Sequence, residues 1–104
     1  MSKRLEMLQK MLASGTKDPF AHYAYALELK SLERFAESLT AFEKLRELDA
    51  KYVPQYLMAG GVAQQLGEHD RAREWFEQGI ERARAAGDAH ALSDLQQALA
   101  ELPS

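Results

Sequence analysis

From Lys3 to Ala13 the apolar residues Leu5, Leu8 and Leu12 fall three and four apart, with Met7 and Met11 widening the stripe. That spacing predicts an amphipathic helix. Gly15 follows, and glycine suits the left-handed position just past a helix end. Asp18 can then cap a second helix, with Pro19 in its first turn. This helix is expected to run to about Leu32, and its apolar residues form two stripes. One is His22, Tyr25, Ala26, Leu29 and Leu32; the other is Phe20, Tyr23, Ala24 and Leu27. A third helix, from about Arg34 to Asp49, aligns Phe35, Ser38, Leu39, Phe42 and Leu45. Pro54 opens a fourth, closed by Gly67, and here Leu57, Met58 and Gly61 make the second stripe. A fifth begins near Asp70 and continues to Gly87. Asp88 caps a sixth, in which Leu92, Leu95, Leu99 and Leu102 share a stripe before Pro103. No segment alternates as a half-buried strand does. The pattern predicts an all-α chain of short antiparallel helix hairpins.

The hairpins repeat. A shift of 34 residues puts Leu32 on Leu66, Phe42 on Phe76, Glu43 on Glu77 and Glu47 on Glu81, and small residues superpose as well: Ala26 on Gly60 and Ser38 on Ala72. A period of 34 with the pattern W-x2-L-G-x2-Y…A-x3-F…P describes the tetratricopeptide repeat. The chain resembles that family over two repeats. In the second, Tyr56, Ala59, Gly60 and Ala63 stand at the Trp, Leu, Gly and Tyr positions, and Ala72 and Phe76 match the Ala and Phe. In the first, the corresponding residues are His22, Tyr25, Ala26, Leu29, Ser38 and Phe42. The closing Pro is replaced by Ala50 in one and Arg84 in the other.

The resemblance implies a right-handed α-solenoid: one domain over 1–104, with a capping helix or partial repeat over 1–17, repeats over 18–52 and 53–86, and a capping helix over 87–104. It implies that Gly60 lies where the two helices of a repeat cross closest, which offsets the roughly 1 kcal/mol that a mid-helix glycine costs relative to Ala. Gly61, about 100° further around the helix, is implied to lie on the concave side, which the family uses to hold ligands. The residues at the concave positions are Phe20, Tyr23, Ala24, Leu27, Lys30 and Ser31, then Pro54, Leu57, Met58, Gly61, Gln64 and Gln65. Family members that clamp an acidic C-terminal peptide place Lys and Asn where this chain has Tyr23, Leu27 and Met58. The clamp is absent here.

A helix in so small a protein needs one apolar face of about 100°. A second apolar stripe is either covered by a terminal helix of the same chain or exposed, and exposed patches mark interaction surfaces. The expectation is a binding module that takes a protein or peptide, best an amphipathic helix, through Phe20, Tyr23, Ala24, Leu27, Lys30, Leu57, Met58, Gly61, Gln64 and Gln65. The alternative is a homo-oligomer, such as a homodimer, that uses the same face.

Composition and chemistry narrow the classes further. The chain has 104 residues, no cysteine, a formal net charge of −3 and 28% charged residues. A net acidic chain argues against nucleic acid as partner. Without cysteine there is no disulfide, thiol nucleophile or thiolate metal site. Glu6, Gln9 and Lys10 interrupt any signal-peptide core, and no run reaches about 18 apolar residues. No membrane partner and a cytoplasmic location are therefore expected. His22 and His69 stand at positions that favour packing, and His90 lies in a first turn. None of them has metal-site spacing. The glycines make no phosphate-cradling loop, and no nucleophile constellation is present. Neither catalytic residues nor a cofactor are expected.

Overall fold

A computed structural model describes residues 2–103, and among them lie six α-helices: α1 (Lys3–Ala13), α2 (Pro19–Ser31), α3 (Phe35–Leu48), α4 (Pro54–Gln65), α5 (His69–Ala86) and α6 (Ala89–Glu101). The caps follow the predicted chemistry. The Asp18 side chain accepts from the Phe20 N–H at 3.1 Å, and Asp88 accepts from Ala91 N–H at 3.0 Å. Ser2 caps α1 by accepting from Leu5 N–H at 3.0 Å. The chain divides into two compact units, one ending at Ala50 and one beginning at Lys51.

In the first unit α2 is central. α1 packs on it through Leu5 and Leu8, which are buried. Glu28 of α2 accepts from the Ser2 hydroxyl at 2.8 Å and lies 3.8 Å from Arg4, so the start of α1 is tied to the last turns of α2. α3 packs on the other side of α2, with Phe42 and Leu45 fully buried. The buried Ser38 hydroxyl donates to the Ala26 carbonyl at 2.8 Å, which fixes the crossing where both helices carry small residues. Met7 and Met11, expected to widen the core stripe, are 58% and 44% exposed. The reason is that α1 meets a single neighbour, and an arc centred on Leu5, Leu8 and Leu12 leaves both methionines about 100° outside it. Leu32, expected in the stacking stripe, is likewise 40% exposed, because α2 has ended before it.

In the second unit α4, α5 and α6 all touch one another. Gly60 lies against the Phe76 ring: a Cβ built there would fall into it, 2.6 Å from Cδ1. Phe76 is itself 1% exposed and has nowhere to move. The adjacent Gly61 has nothing within 4 Å of the same construction. Tyr56 and Trp75 pack as tilted rings with centroids 5.8 Å apart. Gly79 of α5 makes a second close approach, where a Cβ would lie 2.5 Å from Tyr56 Cβ and 2.9 Å from Leu95 Cδ2. Three helices thus meet over one missing side chain. Arg73 donates to the Pro103 carbonyl at 3.3 Å and holds the end of the chain to α5.

The α2–α3 and α4–α5 turns repeat in detail. After α2, the Arg34 N–H bonds the Leu29 carbonyl at 2.9 Å and the Glu33 N–H bonds the Lys30 carbonyl at 2.9 Å. After α4, 34 residues on, Glu68 bonds Ala63 and Gly67 bonds Gln64 at the same 2.9 Å. The left-handed residue is Gly67 in one turn, φ 74°, and Glu33 in the other, φ 59°. A side chain in that region is strained by about 1 kcal/mol. We therefore expect Glu33→Gly to raise stability by about 0.5–1 kcal/mol in chemical denaturation; a loss would mean that the Glu33 side chain is needed elsewhere. The adjacent glycines of α4 should behave oppositely. Gly60→Ala is expected to cost about 1–3 kcal/mol by overpacking Phe76. Gly61→Ala should be neutral or stabilising by up to about 1 kcal/mol through helix propensity, both read as shifts in urea midpoint.

Candidate functional site

On the side of α2 turned away from α1 and α3, apolar side chains reach the surface. Phe20 is 64% exposed there. Tyr23, Leu27 and Lys30 follow at intervals of three and four and are half-buried, and Ser31 is exposed. Ala24 is 8% exposed and shares the side of Glu28, one turn on, which meets α1. Tyr23 serves two surfaces, since its ring stands edge-on to the buried Phe42, centroids 6.2 Å apart at 62°. Met7 and Met11 extend the apolar area along α1. They lie on the flank of that helix opposite Gln9 and Ala13, which face α3.

In the second unit, Leu57, Met58, Gly61 and Gln64 lie on one flank of α4 and are half-buried, and Gln65 beside them is exposed. Gly61 is at the centre of this flank. A Cβ built there meets nothing within 4 Å, so the helix surface is open at this point. Pro54 is exposed at the start of the helix.

Residues with reactive chemistry are held in structural roles. His22 donates through Nε2 to the Thr16 carbonyl at 2.9 Å and so tethers the α1–α2 link. His90 lies 3.3 Å from Asp94 within α6. His69, expected to pack, is exposed, because it is the first residue of α5 and precedes the crossing with α4. Among the described residues no three His, Asp or Glu side chains converge as metal ligands. None of their helices is long and apolar enough to cross a membrane. A pair of shifted titrations lies on the surface. Arg34 and Glu37 hydrogen-bond through both guanidinium donors, at 2.9 and 2.7 Å, which raises the Arg34 pKa and lowers that of Glu37.

The comparisons with known proteins agree with this architecture. A tetratricopeptide-repeat family model matches residues 56–85. The TPR repeat-containing protein PA0015 of Pseudomonas aeruginosa is 31% identical over 94 residues, covering 88% of this chain and 87% of the relative. The chain belongs to the tetratricopeptide-repeat family. The crystal structure of a tetratricopeptide repeat domain protein from Salinibacter ruber is 38% identical with a TM-score of 0.76, over 81% of this chain and 94% of that one. The TPR2B domain of yeast Sti1, solved as a complex with pHsp70, shares the fold at a TM-score of 0.85 and 17% identity, over 92% of this chain and 77% of that one. Tetratricopeptide repeats are protein–protein interaction modules, and the all-α helical-repeat class expected from the pattern is the one observed.

Two features of this tetratricopeptide-repeat chain escaped the sequence pattern. Gly79 falls on Leu45 under the 34-residue shift, so the repeat hid its small-residue role. The exposure of Met7 and Met11 could have been read from their angular offset, had the single neighbour of α1 been known. The double duty of Tyr23 separates two variants on one face. Tyr23→Ala should lower stability by about 1–2 kcal/mol through loss of the Phe42 edge contact and buried area. Phe20→Ala should stay within about 0.5 kcal/mol of wild type, both measured by thermal unfolding.

Proposed function

We propose that the outward faces of α2 and α4 bind a protein partner that presents an apolar peptide or amphipathic helix, and that the chain acts as a cytoplasmic scaffold and not as a catalyst. The repeats span 18–52 and 53–86, with 1–17 and 87–104 as flanking caps. The contact residues are Phe20, Tyr23, Leu27 and Lys30 on α2, with Leu57, Met58, Gly61, Gln64 and Gln65 on α4; Ala24, expected among them, is buried on the side of α2 that meets α1 and is left out. The observation that carries this reading is Phe20: an aromatic ring 64% exposed on a helix whose core side is already satisfied by Ala26 and Leu29, both at most 1% exposed. A buried aromatic or leucine anchor contributes about 2 kcal/mol or more to binding, whereas a rim cation such as Lys30 acts mainly on association rate and salt dependence. The solved complex of Sti1 TPR2B with pHsp70 is a precedent for partner binding on this fold.

The test is quantitative capture of partners from a cell extract by wild-type protein and by Phe20→Ala, Leu57→Ala and Lys30→Ala, followed by titration with the captured partner. Phe20→Ala and Leu57→Ala should each weaken binding about tenfold with unchanged helicity, and Lys30→Ala much less. Equal binding by all four proteins would put the contact elsewhere. Sedimentation at low micromolar concentration reads the alternative: a dimer that Leu57→Glu dissociates would make the partner a second copy.

A further inference from the structure

The other side of α2 carries a second surface. α1 and α3 both pack on α2, yet they do not approach each other closely. Between them runs an open trough of about 640 Å³, with Tyr25 of α2 at its base, Leu12 and Ala13 on the α1 side, and Ala36, Ala41 and Lys44 on the α3 side. The three alanines keep the walls low and leave the depth. The charges at its two ends are unequal. Glu37 is neutralised by its paired hydrogen bonds with Arg34. Lys44, seven residues on and so about 10 Å further along α3, makes no hydrogen bond or ion pair with any described residue. The trough therefore has an apolar floor, with Gln9 and Thr40 along its walls and one unanswered positive charge at one end.

We infer that this trough docks a short amphipathic helix of a partner protein, with aliphatic side chains on Tyr25 and the alanines and a carboxylate at Lys44. An extended segment fits less well. Both walls are helices whose backbone groups are already bonded internally, so they offer no strand edge, and an extended segment gains no main-chain hydrogen bonds from them. A small molecule is also disfavoured, because such ligands are mostly enclosed by their sites and this trough is open along its length. The inference is independent of the outward faces of α2 and α4.

The test uses the full chain, isotope-labelled, titrated with a synthetic helix-forming peptide. The peptide carries leucines at positions i, i+3 and i+7 and a glutamate one turn beyond; a second peptide has lysine in place of that glutamate. Saturable shifts are expected at the amides of Gln9, Ala13, Thr40 and Lys44, with the glutamate peptide binding about fivefold tighter than the lysine peptide. Lys44→Glu should reverse that order, and Ala36→Arg, at an exposed wall position, should abolish the shifts while helicity is retained. Shifts confined to Phe20, Leu27, Leu57 or Gly61 would overturn the inference and leave the proposed function standing. The same peptide order in Lys44→Glu, or no saturable shift, would also overturn it.

Discussion

How near one helix can come to the next, set by side chains that are missing or small, is the constraint on which both units depend. In α4 the ring of Phe76 occupies the space a Gly60 side chain would take. In α2 the same register position is Ala26, and the Ser38 hydroxyl bonds its carbonyl. The glycine costs about 1 kcal/mol of helix propensity. Close contact returns more, because each buried aromatic packs against atoms that a wider spacing would leave unpaired. Gly79 extends this logic to a third helix, where Tyr56 of α4 and Leu95 of α6 converge.

Much of this was legible in one dimension. Helix positions followed from capping residues, prolines and glycines, which act locally, and the observed bounds fall within a residue or two of those expected. The repeat followed from small and aromatic residues recurring at a fixed interval. What escaped depends on which neighbours a helix has. The fate of Met7 and Met11 turned on α1 packing against α2 alone. The packing of Tyr23 on Phe42 turned on a partner in another helix. Glu33 in a left-handed turn could not be foreseen from its residue type, since nothing about a glutamate announces that conformation. Only the equivalence with Gly67 points to it.

Reactive side chains are few: Asp18 and Asp88 serve as caps, His22 as a tether, and Arg34–Glu37 and His90–Asp94 as surface pairs. What is left over, once the core is accounted for, is apolar surface: Phe20 and its neighbours on α2, and the flank of α4 centred on Gly61. Where a partner is read by apolar surface, specificity resides in which aliphatic and aromatic groups it can supply.

The pattern of helix neighbours also bears on how each unit breathes. In the second unit every helix touches the other two, so α6 cannot lift without exposing Leu95 and the notch at Gly79. In the first unit α1 and α3 are joined only through α2, so either outer helix can detach while the remaining pair stays intact. Local opening is thus graded in the first unit and all-or-none in the second. Amide exchange across α1 should be governed by its own detachment, and exchange across α4, α5 and α6 by a single shared event.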